Sequence, residues 1–182
     1  QTTYDALTLP FRSVLAPIEP NGKSLGALVV AYARQHLRQH PIEVGGQNRG
    51  PWVRLYMDGN EGEAWAWCAG FACFCLGQAC QSLGVPLPIE KSFSCDLLAV
   101  SAKARNRFLG QPSPADRSRI KPGSFFLNRR TSNDWVHVGI VVKADAEVIQ
   151  TIEGNTNDEG SREGFEVCAR MRGYSGKDFI LI

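Results

Sequence analysis

The sequence predicts an α+β fold in a single domain. Three observations carry this. Segments of helical periodicity fill the chain up to about Pro122, and short runs rich in Val, Ile and Phe fill the rest. A length of 182 residues suffices for one full core. Helices first and strands after means N-terminal helices packed on a sheet, here five antiparallel strands.

The elements follow in chain order. Residues 1–23 hold Pro10, Pro17, Pro20 and the turn Pro-Asn-Gly, and read as an irregular arm ahead of one domain spanning residues 24–182. Ser24 caps a helix running to about His40, with Leu25, Leu28, Val29, Tyr32 and Leu37 at helical spacing and Pro41 as its stop. A loop, "VGGQNRG", precedes a short helix, "PWVRLYM", with Pro51 in its first turn. After the loop "DGNEGE", a helix runs from Cys68 to Leu83, apolar on nearly every side and therefore central, with "LGVPLP" ending it. Another helix spans about Ser94 to Arg107. The strands are "GSFFLN", "WVHVGIVV", "EVIQTIEG", "GFEVCARMR" and "KDFILI", separated by "TSND", "KADA", "NTNDEGSREG" and "GYSG". That order reads as a meander.

Composition excludes several classes. A net charge of +2 does not call for nucleic acid, which needs a clustered basic face. No run of about 18 apolar residues is present, so no membrane-spanning helix is expected. The start lacks the basic-then-apolar layout of a signal peptide, and also an initiator Met. The six cysteines read as mostly reduced and buried, which fits synthesis in a reducing cytoplasm.

Four of those cysteines crowd into "EAWAWCAGFACFCLGQAC". Zinc is disfavoured: Cys73 and Cys75 are too close in sequence, and the histidines at 36, 40 and 137 form no metal pattern. A disulfide within one helix is geometrically poor. Cys73, Cys75 and Cys80 therefore read as small core side chains. Cys68 differs, because it opens the helix. There a thiol meets the positive end of the helix dipole and unpaired backbone N–H groups, which favour thiolate. Ala69 and Gly70 after it leave room for a substrate. A fourth core cysteine is the competing reading, and position alone does not separate the two.

The strands break the tie. Alternation puts Trp135, His137, Gly139 and Val141 on one face, and Thr151, Glu153 and Asn155 share a face of the next strand. Gly139 removes a side chain beside His137, as a closely approaching helix end would require. A hairpin through "KADA" makes the strands neighbours, so Glu153 or Asn155 can orient His137. Thiol, imidazole and orienting group form the layout for nucleophilic acyl transfer.

"WCAGF" at a helix start, "HVGIV" on a strand and "IEGNT" on the next resemble the cysteine, histidine-dependent amidohydrolase/peptidase family, the CHAP domains. "GGQNRGP", "YMDGNEGEAW" and "KPGSFF" resemble that family's flanking segments, so the likeness spans roughly residues 25–182. The resemblance implies a papain-like fold and cleavage of amide bonds in peptidoglycan, as an endopeptidase or an N-acetylmuramoyl-L-alanine amidase. It makes Cys68 the nucleophile, His137 the base, Glu153 the orienting acid and Asn155 an accessory polar group. Trp65, Trp67 and Trp135 flank these positions and are candidates to line a substrate groove, with plain packing as the alternative. Tyr56 is a candidate second oxyanion donor.

Some relatives carry a calcium loop before the Cys. Asp58, Asn60, Glu61 and Glu63 fall short of that pattern, so no metal and no cofactor are expected. The expected partner is bacterial cell-wall peptidoglycan, with action at the wall or in the periplasm, by a monomer. The missing signal and binding domain lean towards phage lysis or injected delivery, where an immunity or inhibitor protein would be a second partner. The rival readings are a non-catalytic wall-binding module and an amidase acting on a small peptide-like metabolite.

Overall fold

A computed structural model describes residues 9–156 and 164–182. Five helices come first: α1 (Leu9–Leu15), α2 (Leu25–Leu37), α3 (Pro51–Tyr56), α4 (Cys68–Leu83) and α5 (Cys95–Ala104). Six strands follow: β1 (Phe108–Gly110), β2 (Phe125–Thr131), β3 (Asp134–Ala144), β4 (Val148–Thr156), β5 (Glu166–Gly173) and β6 (Lys177–Ile180). The α+β class stands, with every strand pair antiparallel.

Local chemistry explains the helix ends. The Ser24 hydroxyl accepts from Ala27 N at 3.2 Å, and the Ser94 hydroxyl accepts from Leu97 N at 3.3 Å. Gly84 ends α4 in the left-handed conformation, φ 71°, which glycine adopts without steric cost. In α4, ten residues from Cys68 to Cys80 are buried, as its all-round apolar sequence requires.

Two expectations are corrected. The arm is not irregular over residues 9–15, where α1 forms; its first eight residues lie outside the described ones. Pro10 is compatible with a first turn, and Phe11 and Val14 are buried in the main core. Phe11 stacks on Trp52 at 4.2 Å, and Gln78 Nε2 donates to Val14 O at 2.8 Å. Packing thus sustains a helix too short to stand alone.

The sheet is also not a five-stranded meander. β1 is a sixth strand, and the order is β1-β6-β2-β3-β4-β5. The final strand leaves β5 and inserts between β1 and β2, pairing Phe126 with Phe179 and Leu109 with Phe179. Asp178 secures that insertion. Its buried carboxylate accepts from Arg129 Nε and from Trp135 Nε1, each at 2.7 Å, and from Gln111 N at 2.9 Å. The turn expected over 155–164 lies mostly outside the described residues.

Alternation along the strands divides the core. Val138, Ile140 and Ile152 join the helices, while Phe126, Val141, Ile149 and Phe179 form a second cluster with Tyr174 and Leu109. α4 packs across both β3 and β4. Gly154 permits its close approach. A Cβ there would lie 2.7 Å from Phe71 Cβ and 3.1 Å from the Trp67 ring. Gly139, expected to serve that purpose, instead makes room for the Phe126 ring and Glu153 Cγ, 2.3 and 2.7 Å from an added Cβ. No helix among the described residues is long and apolar enough to cross a membrane.

Candidate active site

The β3–β4 ladder has its last pair before the site at Ile140 and Ile152. Beyond it, His137 and Glu153 face each other across strands that no longer pair. The His137 ring Nε2 lies 2.8 Å from Glu153 Oε1, with both side chains buried. Glu153 is the acceptor for the Nε2 proton. That leaves Nδ1, which is buried and has no hydrogen-bond partner among the described residues.

Cys68 is the thiol beside this ring. It opens α4, whose preceding residue Trp67 supplies no side-chain cap, so no side-chain cap occupies the first-turn N–H groups. The backbone N–H of Val138 helps to lower its pKa. The thiol is held well below its ordinary pKa. The neighbouring Cys95 thiol is the largest cause, burial opposes it, and the neighbouring His137 with its charge adds to it. Burial also pushes His137 down, but Cys68 and Glu153 outweigh that and lift it to about 9. Together the shifts favour a thiolate–imidazolium pair. The other helix cysteines go the opposite way: burial raises Cys73 to about 11 and Cys75 well above its usual value.

Glu153 is held ionised by a residue that the sequence reading missed. Burial opposes its charge, yet the Arg172 guanidinium, and then His137, bring its pKa down to about 2. Arg172 Nε and Nη2 each donate at 2.7 Å, one to each carboxylate oxygen. Thr151 Oγ1 adds a bond of 2.5 Å to Oε2. Cys95 was missed as well. Expected to be packed, it is only half-buried, and its thiol is the neighbour that most lowers the Cys68 pKa. Its signal was legible: "SFSCD" puts it at a helix start, as "WAWC" does for Cys68.

Cys68, His137 and Glu153 are therefore brought together. Asn155 is not among them. It is buried with φ 55°, a backbone region Asn tolerates, and its Oδ1 has no partner among the described residues. The aromatic candidates are corrected too. Tyr56 and Trp67 are fully buried and stack at 5.8 Å, so neither lines an open groove. The Tyr56 hydroxyl is 2.8 Å from His36 Nδ1 and does not serve an oxyanion; Trp67 Nε1 donates to Glu43 Oε1 at 3.0 Å. Trp135 is buried against Phe108 and commits its N–H to Asp178. Only Trp65 of the four keeps partial exposure, with its ring edge-on to Phe93 at 6.3 Å. Gly70 leaves space for Met57 and the Tyr56 carbonyl, not for substrate.

The acidic loop ahead of Cys68 is taken up by cations. Glu61 pairs with Arg54 at 2.5 Å and with Arg49 at 3.9 Å, and Asp58 with Lys91 at 3.7 Å. No group of His, Cys, Asp and Glu is arranged to hold a metal among the described residues. Comparison with protein-family models, curated proteins and solved structures found no match for this chain.

Proposed function

We propose that this chain is a cysteine amidohydrolase/peptidase that cleaves amide bonds in bacterial peptidoglycan, through Cys68, His137 and Glu153. The observation that supports it most is His137, held by an ionised Glu153 on one nitrogen and flanked on its other side by a thiol shifted towards thiolate. The choice of peptidoglycan rests on the motif order that resembles the CHAP domains.

The residues divide the work as follows. The Cys68 thiolate attacks the amide carbonyl carbon, and the first-turn N–H groups of α4 face the developing oxyanion. Imidazolium His137 gives its proton to the leaving amine, which departs and leaves a thioester. Neutral His137 then takes a proton from water, whose oxygen attacks the thioester carbon. The thiolate leaves and the ion pair is restored. Glu153 keeps the ring oriented and its charge balanced throughout, and Arg172 keeps Glu153 from taking the proton.

The test is incubation of wild type and Cys68→Ala with purified peptidoglycan, followed by mass spectrometry of the released fragments. New amide-cleaved fragments from wild type alone support the reading. Binding without cleavage would indicate a wall-binding module. Inert peptidoglycan with hydrolysis of short free peptides would indicate a small-metabolite amidase. Equal cleavage by Cys68→Ala would remove Cys68 from the mechanism.

A further inference from the structure

The Cys68 thiol has a second neighbour that the proposed hydrolysis does not use. Cys95 is the first residue of α5 and half-buried, and its segment runs along the start of α4: the Phe93 ring lies edge-on to Trp65 at 6.3 Å and Ser92 O accepts from Cys73 Sγ at 3.5 Å, so its thiol is the neighbour that most lowers the Cys68 pKa. Its chain neighbours fix it there. Ser94 caps α5 through its hydroxyl. Asp96 Oδ1 accepts from the backbone N–H of Trp135 at 2.7 Å, which ties the first turn of α5 to β3 two residues ahead of His137. The partly buried Phe93 and Cys95 both pack on the core cluster that contains Cys68. The α4 cysteines lie elsewhere: Cys73 Sγ donates to Ser92 O at 3.5 Å, Cys80 Sγ to Pro86 O at 3.8 Å, and Cys75 is sealed in the core.

A nucleophilic thiol with a second thiol beside it is the arrangement in which oxidation stops at a disulfide. We propose that Cys68 and Cys95 are a modification site, joined by peroxide into a reversible disulfide that withdraws the nucleophile; this rests on the reading of Cys68 as a reactive thiolate. The Cys68 thiolate attacks one oxygen of hydrogen peroxide. An S–O bond forms, the O–O bond breaks, hydroxide leaves, and the sulfur is oxidised by two electrons to the sulfenic acid. The Cys95 thiol then attacks that sulfur. The S–S bond forms, the S–O bond breaks, and the hydroxyl departs with the thiol proton as water. A dithiol reductant reverses the step by exchange.

This gives the two thiols different roles. Cys68 carries the reactivity, and Cys95 resolves its oxidised form before further oxygen adds. The α5 anchor through Asp96 keeps the resolving thiol within reach of the nucleophile.

The test exposes the reduced protein to a small excess of hydrogen peroxide, blocks remaining thiols with iodoacetamide, and maps peptides without reduction. The expected product has lost two hydrogens, contains the Cys68 peptide linked to the Cys95 peptide, and resists alkylation at Cys68 until a dithiol is added. In Cys95→Ser the link is absent, and Cys68 advances to the sulfinic acid, which dithiol does not reverse. The proposal is overturned if wild type yields no Cys68–Cys95 link. It is equally overturned if Cys95→Ser recovers its Cys68 alkylation as fully as wild type. Should Cys95→Ser not fold, the wild-type map decides alone. The readout involves no peptidoglycan, so a chain that forms the link but leaves peptidoglycan intact keeps this inference and loses the substrate. A Cys68 inert to both iodoacetamide and peroxide removes both.

Discussion

Arg172 grips Glu153 with two parallel N–H donors, each 2.7 Å from a different carboxylate oxygen. Oε1 is shared, because His137 Nε2 lies 2.8 Å from the same atom. Glu153 is fully buried and the Arg172 side chain only 13% exposed, so the charges interact strongly and an unpaired one would be costly. Cation and anion alternate along the line Arg172, Glu153, His137 and Cys68, so the site carries a buried thiolate without a net buried charge. Arg172 also lies over the Phe126 ring, 5.3 Å from its centroid, which fixes the fork in place.

Arg172 is accordingly a positioning residue for the proposed hydrolysis. Arg172→Met should let the Glu153 carboxyl rise, weaken its hold on imidazolium, and raise the Cys68 thiol. Turnover should drop on the order of tenfold, about 1.4 kcal/mol of barrier. Arg172→Lys should restore only part, since an ammonium cannot make the fork. The measurement is the pH dependence of Cys68 alkylation in the three proteins. A role confined to stability would lower the melting temperature and leave the alkylation profile where it was.

Glu153→Gln should cost more turnover than Asn155→Ala, again on the order of tenfold. Glu153 touches the ring, while Asn155 shows no bond to it. An amide at 153 can still accept from Nε2, but it offers no charge to the imidazolium and leaves Arg172 without its counter-ion. The alkylation profile should therefore move to higher pH in Glu153→Gln alone. Movement in Asn155→Ala instead would transfer the orienting role.

Much of this site was legible in the sequence because strand alternation and a helix start are local rules. They brought Cys68 and His137 forward and put Glu153 and Asn155 on one face, while the choice of Glu153 over Asn155 came from its charge and from the family resemblance. Arg172 was invisible to them. Its register partner on β4 is Ile149, four residues from Glu153, and only the path of the sheet and a long side chain close that gap. β6 escaped for a similar reason: three residues separate it from β5, yet it pairs with β1 and β2. The tryptophans misled because nearness in sequence to a nucleophile says nothing about which way a ring turns. Trp67 precedes Cys68 directly and still lies wholly within the core.

The pH dependence of hydrolysis follows from the pair. His137 sits at about 9, above its ordinary 6.5, so it is protonated at neutrality and loses its proton as pH rises through about 9. The Cys68 thiol is depressed, so thiolate is already present well below the ordinary thiol range. kcat/KM should thus hold a plateau at neutral pH and decline above about 9 as the proton for the leaving amine is lost. A profile that keeps climbing through that pH would mean the thiol, not the imidazolium, limits the reaction.

Gly154, which faces α4, and Gly77, within α4, should respond with opposite signs. At Gly154 an added Cβ meets Phe71 Cβ at 2.7 Å and Phe71 Cγ at 2.9 Å, both rigid parts of a buried side chain. Gly154→Ala must push the first turn of α4 away from β4, at a cost of about 1–3 kcal/mol. It should also slow Cys68 alkylation at neutral pH, because the shifted turn carries the thiol away from His137. Gly77 lies within the same helix, and nothing stands within 4 Å of a Cβ built there. Gly77→Ala should stabilise by about 0.4–1 kcal/mol by restricting the unfolded chain, with alkylation unchanged. Thermal denaturation and iodoacetamide kinetics on both variants check this. If Gly154→Ala is as stable and as reactive as wild type, the close approach of α4 to β4 does not hold the nucleophile in place.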